Sequence, residues 1–445
     1  MKDVLVLGAG LVSRPLVVYL LEKGYRLICA SRTVAKAEAL VAGYDNGTAL
    51  ELDLADEARL GELIAGTDLA VSLVPYEFHP LVGKLCLEHG RHMVTTSYIS
   101  PDMEALDGAA RASGLTLLNE IGVDPGIDHM SAMRIIDDVR ARGGEIVSFR
   151  SYCGGLPAPE DNDNPFGYKF SWAPRGVLLA GRNVGRYLSE GRVVEVASER
   201  LFRDMHVLQL DEFGDYEAYP NRDSLGYLDV YGLQGIRTLY RGTLRNMGWC
   251  DTMYRFRRAG LLELDEVDLG GRSYAEVMGA HFGAPAGGDL RAAAAARMGV
   301  PSESLPARNL EWLGALSDRP VAAGTATMLD ALGDLMYDKL AYAEGERDMI
   351  VLFHDFTAAF PDGRRERITS RLIDFGVAGG DSSMSRTVSL PAAIGAHMIL
   401  QGEITERGVL VPVMPGIYKP VLDELAALNI NCIEKTETYQ SGGEN

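Results

Sequence analysis

The sequence predicts an α/β protein built on a doubly wound parallel sheet, with a mixed α/β domain and a mainly helical domain beside it. Three observations carry this. Short apolar runs of buried-strand type alternate with helical periods through the first 150 residues. The first run, Val4 to Leu7, passes into Gly8-x-Gly10 and then straight into an apolar helical pattern. A chain of 445 residues is also too long for one core, so two or three domains are expected.

Taken in order, strands are expected at 3–7, 25–30, 48–52, 68–74, 91–96 and 115–120, and helices at 11–23, 34–42, 57–65, 78–89 and 102–113. Past residue 145 the pattern changes. EIVSFRSYCGG reads as a strand that stops at Gly154-Gly155, followed by a Pro- and Asn-rich stretch, 156–172, too irregular for one element. Tyr168, Phe170 and Trp172 within it argue for ordered packing. Residues 244–345 read as mainly helical, with periodic segments at 290–299 and 326–343. A strand at 348–360, a Pro361-Asp362-Gly363 turn and a return strand at 366–376 make a hairpin. A buried helix follows at 390–402. The last helix and strand, GIYKPVLDELAAL and NINCIEK, form an αβ unit that could dock back on the first sheet.

The glycine turn is where chemistry enters. Gly8 and Gly10 allow a tight turn and a close backbone approach to a pyrophosphate, and the following helix N-terminus offers free N–H groups. The arrangement is Rossmann-like, with Ser13 where Gly or Ala is usual. In such a sheet ligands sit at the carboxyl ends of the strands. Strand 2 ends in Ser31-Arg32-Thr33, without the acidic residue that binds a ribose 2′-hydroxyl. A hydroxyl and a guanidinium suit a 2′-phosphate, which favours NADP(H), with NAD(H) left open. Strand 3 ends in Asp53-Leu54, strand 4 in Leu73-Val74-Pro75, strand 5 in Thr96-Ser97-Tyr98 and strand 6 in NEIGVDPG, residues 119–126.

Bulk properties exclude other classes. A formal charge of −19 without a basic stripe argues against nucleic acid or an anionic membrane as partner. No run of 18 apolar residues exists, and the first strand starts within three residues of Met1, so a cytoplasmic protein is expected. Five scattered cysteines without a CxxC are expected to be reduced thiols, and no metal site is expected.

As a set, TTSYISP (95–101), NEIGVDPGIDH (119–129), SYCGGLPAPEDNDNPFGYKFSW (151–172), AYPNRDS (218–224) and RGTLRNMG (241–248) closely resemble the saccharopine dehydrogenase family of L-glutamate-forming type. The resemblance implies interconversion of saccharopine with glutamate and 2-aminoadipate 6-semialdehyde, a nicotinamide cofactor and a homodimer. It implies a dinucleotide-binding domain at 1–125 completed by about 392–445, a substrate-binding and dimerisation domain at 126–243 with 346–391, and a helical domain at 244–345. Cofactor contacts carry over to Ala9, Gly10, Leu11 and Val12, to Ser31, Arg32 and Thr33, to Asp53 and Leu54, and to Thr95, Thr96, Val123 and Asp124. Gly8 and Val74 join them as strand-end residues. Substrate contacts carry over to Ser97, Tyr98, Asp124, Arg222, Thr243 and Arg245, with Leu244 between the last two. The small hydroxyl residue that follows the Ser-Trp pair in fungal relatives is Ala173 here, so one hydroxyl contact to the cofactor is expected to be missing.

The chemistry can be argued from the residues too. Saccharopine carries three carboxylates, and arginine matches a carboxylate bidentately, so Arg222 and Arg245 are the expected clamps. Asp124, Tyr98 and Cys153 are the candidate catalytic residues. Asp124 also reads as a helix N-cap, with Pro125 in the first turn. Cys153 has no basic neighbour in sequence and is not expected to be a nucleophile. His129 reads as structural. Two other classes stay open: a C–N reductase joining another amine to an aldehyde, which would be expected to alter both arginines, and a non-catalytic dinucleotide-binding scaffold, which would be expected to lose the strand-end motifs.

Overall fold

β1 (Asp3–Leu7) starts the first of two compact units, Met1–Ile146 with the chain from Leu352 onward; Val147–Val351 forms the second. The computed structural model describes residues 1–285 and 287–440. In the first unit strands and helices alternate as α1 (Arg14–Glu22), β2 (Arg26–Ser31), α2 (Val34–Val41), β3 (Gly47–Glu51), α3 (Glu57–Ala65) and β4 (Leu69–Ser72). Then come α4 (His79–Glu88), β5 (His92–Thr95), α5 (Pro101–Glu104), α6 (Asp107–Ala112), β6 (Thr116–Leu118) and α7 (Ile127–Ala141). The apolar runs become parallel strands ordered β3-β2-β1-β4-β5-β6, the doubly wound order that opens a crevice between β1 and β4.

Two expected helices differ. The first starts at Arg14 rather than residue 11, because Ser13 closes the glycine turn and Pro15 favours a first helical turn. The helix expected at 102–113 is broken into α5 and α6.

The second unit takes up β7 (Glu145–Pro157) from its third residue, then α8 (Pro174–Ala180), β8 (Gly185–Ser189), β9 (Arg192–Val196), β10 (His206–Gln209), β11 (Asp215–Pro220), α9 (Tyr227–Val230) and β12 (Thr238–Asn246). Its sheet is mixed, ordered β10-β11-β12-β7, with β11 antiparallel and β7 parallel to β12. β7 does not stop at its glycines. A Cβ at Gly154 would stand 2.7 Å from the Leu244 carbonyl oxygen, so this glycine serves close strand packing rather than a turn. The helices α10 (Trp249–Arg258), α11 (Tyr274–Phe282), α12 (Leu290–Met298), α13 (Leu305–Trp312) and α14 (Met328–Lys339) cover a core that includes Phe166, Tyr168 and Phe170. The irregular stretch is thus anchored by its aromatics.

β13 (Asp348–Ala359) and β14 (Arg364–Phe375) form the expected hairpin, and α15 (Ser383–Gln401), β15 (Gly408–Leu410), α16 (Pro415–Ala427) and β16 (Ile433–Gln440) end the described chain. The strand that returns to the first sheet is β15, parallel to β6. The last strand, β16, instead pairs antiparallel with β14. α15 also starts seven residues before the apolar stretch expected at 390, at Ser383, and carries Pro391 inside it. No helix is long and apolar enough to cross a membrane among the described residues.

Candidate active site

In the first unit, the turn after β1 is shaped by Gly8 and Ser13. Gly8 has φ +108°, and a Cβ there would meet the Leu73 carbonyl oxygen at 3.0 Å, across the crevice between β1 and β4. The buried Ser13 hydroxyl donates to the Gly8 carbonyl (3.0 Å) and accepts from the Gly10 N–H (3.0 Å). The residue that departs from the usual glycine pattern therefore holds the loop shut. A Cβ at Gly10 would meet nothing within 4 Å, and Gly10 and Leu11 are exposed, Leu11 at 62%, so the outer face of the turn is open between the buried Ala9 and the half-buried Val12. At the end of β2, Ser31 accepts from the Thr33 N–H (3.3 Å), and Arg32 is exposed without an ion pair among the described residues. Asp53 is exposed and caps its own turn by accepting from the Ala55 N–H, while Leu54 and Val74 are half-buried.

The ends of β5 and β6 bring Ser97, Tyr98 and Asp124 together. The Tyr98 hydroxyl donates to Asp124 Oδ1 at 2.8 Å. Asp124 is the only residue between 121 and 130 that is not buried, and Val123 beside it is 6% exposed. Asp124 is not the helix cap expected from sequence. α7 starts at Ile127 behind Gly126 as its N-cap, and the Gly126 N–H donates to the buried Asp128 (2.6 Å).

Glu120 ties this corner together, and sequence reasoning missed it. Its N–H donates to the Ser97 carbonyl (3.2 Å) and its Oε1 accepts from the Ile99 N–H (3.0 Å), bracketing Tyr98 on both sides. Its Oε2 meets Nε2 of the fully buried His129 at 2.9 Å. Glu120 adopts φ +54°, an uncommon conformation for a side-chain-bearing residue and one that this dense bonding maintains. The available signal was an acidic residue inside an apolar strand end.

In the second unit, β12 presents alternate residues to one face, so Arg241, Thr243 and Arg245 share a face and Leu244 points away. Leu244 is fully buried, and its carbonyl accepts from Arg245 Nη1 at 2.8 Å. Cys153 of β7 pairs with Thr243 and so lies on the Thr243 face, within electrostatic reach of Arg245. The missing basic neighbour of Cys153 thus comes from a distant strand. Arg245 is 5% exposed and stacks on Tyr168 (4.9 Å) and Trp249 (5.5 Å). Glu217 pairs with it across β11, yet spends both carboxylate oxygens on the Gly248 and Cys250 N–H groups at the start of α10. Arg245 therefore has no carboxylate partner among the described residues, and its Nε is buried without a hydrogen bond. Arg222 is exposed at φ +58°, after the strand end of β11. No group of three or more metal-ligating side chains occurs among the described residues.

These features can be set beside known proteins. Residues 4–118 match the saccharopine dehydrogenase NADP binding domain and residues 122–430 match the saccharopine dehydrogenase C-terminal domain. The chain belongs to the saccharopine dehydrogenase family. It is 38% identical to saccharopine dehydrogenase [NADP(+), L-glutamate-forming] of Pyricularia oryzae, over 98% of this chain and 99% of that one. The Saccharomyces cerevisiae protein of the same name is 39% identical over 95% and 96% of the two chains. A solved structure of apo saccharopine dehydrogenase (L-Glu forming) from Saccharomyces cerevisiae superposes with a TM-score of 0.88, covering 98% of this chain and all of that one at 38% identity. For this saccharopine dehydrogenase family member NADP(H) is the cofactor that the matched domain describes. The residues present fit it: the open outer face of the glycine turn admits a pyrophosphate, and the unpaired Arg32 can meet a 2′-phosphate.

Proposed function

We propose that this chain is an NADP(H)-dependent oxidoreductase that interconverts saccharopine with L-glutamate and 2-aminoadipate 6-semialdehyde in lysine metabolism. The observation that carries this is Arg245, a buried guanidinium that no carboxylate neutralises among the described residues of its own unit. A buried charge without a partner is costly, and a substrate carboxylate supplies the partner. Thr243 on the same face adds a hydroxyl, and Arg222 and Ser97 take further carboxylate oxygens.

In the oxidative direction the C–N bond becomes an imine, water adds to it, and the adduct splits into aldehyde and glutamate. Gly8 to Val12, Ser31 to Thr33, Asp53, Leu54, Val74, Thr95, Thr96 and Val123 would hold NADP⁺, which would supply the hydride acceptor when bound. The chain itself must orient the amine and manage its proton. Asp124, fixed by the Tyr98 hydroxyl, holds a carboxylate where it can take the amine proton and return it. Cys153 lines the Thr243 face as a packed thiol.

The same proposal includes a cytoplasmic homodimer and the three-part domain division set out above; a mass of twice the chain by light scattering supports the dimer. The deciding assay follows absorbance at the nicotinamide band. Saccharopine with NADP⁺ is expected to produce NADPH, and glutamate with the semialdehyde to consume it. Turnover of a diamine in place of glutamate, without turnover of glutamate, overturns the proposal.

A further inference from the structure

His79 opens α4, directly behind the ends of β4 and β5, and is 4% exposed. Three hydroxyls surround its ring. Ser72 Oγ, on the last residue of β4, lies 2.9 Å from Nδ1; Ser97 Oγ lies 2.8 Å and Thr95 Oγ1 3.3 Å from Nε2. Thr95 Oγ1 also accepts from the Ser97 N–H at 3.4 Å. Burial pushes the His79 pKa down to about 4, and no carboxylate touches the ring, so the imidazole is neutral at pH 7.

A neutral imidazole has one N–H and one lone pair, and the tautomer decides what Ser97 can do. With the proton on Nδ1, the Nε2 lone pair takes a hydroxyl proton, and the Ser97 hydroxyl at 2.8 Å is better placed to give it than Thr95 at 3.3 Å. With the proton on Nε2, Ser97 accepts from the ring and its proton is free to point outward. A carboxylate only accepts, so a Ser97 that binds one must donate. Ser72 supports that second state, because Nδ1 is its hydroxyl's only side-chain partner among the described residues and a lone pair there receives its proton. We propose that His79 is a positioning residue that, held by Ser72, turns the Ser97 hydroxyl into a hydrogen-bond donor toward a substrate carboxylate. This rests on the role given to Ser97 above.

The test compares His79→Leu, His79→Gln and Ser97→Ala for KM and kcat with saccharopine and NADP⁺, each checked for wild-type circular dichroism. His79→Leu is expected to raise the saccharopine KM about tenfold, the loss of one well-placed donor, while the NADP⁺ KM stays within about twofold. His79→Gln returns an N–H near the Nε2 position and is expected to recover most of that loss. In the Ser97→Ala background, His79→Leu should add less than about twofold, because the two act through one hydrogen bond. A wild-type saccharopine KM in His79→Leu, or its full factor appearing on top of Ser97→Ala, overturns the inference. Should His79→Leu not fold, Ser72→Ala reads the same link and is expected to raise the saccharopine KM several-fold; an unchanged KM there overturns it as well. Absence of saccharopine turnover in the unmutated enzyme is a different result, since it overturns the proposed function and this inference with it.

Discussion

Arg245 sets function against stability within one residue. A guanidinium that is 5% exposed, stacked on two aromatic rings and without a carboxylate destabilises the free enzyme, so an apolar side chain of similar length should be tolerated. Arg245→Met is therefore expected to keep or raise the unfolding temperature while raising the saccharopine KM by about tenfold or more, the value of a charge-assisted contact. A lower unfolding temperature with an unchanged KM would show the arginine to be structural. Arg32 poses the opposite case, an exposed cation with no ion-pair partner among the described residues. Arg32→Ala is expected to weaken NADPH about tenfold or more and leave NADH unchanged, measured by calorimetry. Equal preference for the two cofactors in the unmutated enzyme would mean that Arg32 meets no phosphate. Motif residues of this kind were legible in the sequence because their types announce their chemistry. The residues that hold them were not. Glu120, His79 and Glu217 each act through a partner on another strand or helix, and no local pattern encodes that.

The same contrast holds for elements. The six strands of the doubly wound half, β1 to β6, lie within two residues of their expected ends, because a short apolar run between turn signals leaves a chain little choice. Errors arose where a distant contact decided the outcome. Gly154 looked like a strand end and is instead the close approach of β7 to β12; the final strand reads as an ordinary αβ partner but pairs with β14. The start of α1 depends on a hydroxyl. Leu11 and Val12 continue the apolar period, yet Ser13 bonds both ends of the glycine turn and pushes the helix to Arg14. Ser13→Ala leaves the Gly8 carbonyl and Gly10 N–H without that partner, at a cost of about 1–2 kcal/mol. Because Trp172, Trp249 and Trp312 all lie in the second unit, fluorescence would not report the change. Hydrogen exchange should: amides of α1 are expected to exchange about five- to thirtyfold faster than in the unmutated protein. Unaltered exchange there would show that the glycines alone maintain the turn.

At the scale of the whole molecule, acid stability is governed by histidines that folding keeps neutral. Burial is the leading cause of a lowered pKa at His79, His92, His206 and His397. The unfolded chain takes up protons at these sites near pH 6.5, and the folded chain refuses them until the pH falls further. Stability is therefore complete above about pH 6.5 and is lost as the pH drops through the interval down to each folded value. His79 alone, lowered to about 4, accounts for about 2 kcal/mol lost between pH 7.5 and 5. Carboxylates with lowered values, such as Asp107 and Asp163, act below that interval, because their unfolded counterparts titrate near pH 4. The net charge of −19 acts in the opposite sense, since acidification relieves self-repulsion, and about 0.15 M salt screens most of that contribution. Under such salt the unfolding temperature is expected to fall between pH 6.5 and 5. Glutamine at position 79 cannot titrate, so the stability gap between the unmutated enzyme and His79→Gln should narrow by about 2 kcal/mol between pH 7.5 and 5. Parallel profiles for the two proteins would mean that His79 takes up its proton as readily in the folded chain as in the unfolded one, contrary to its burial among hydroxyls.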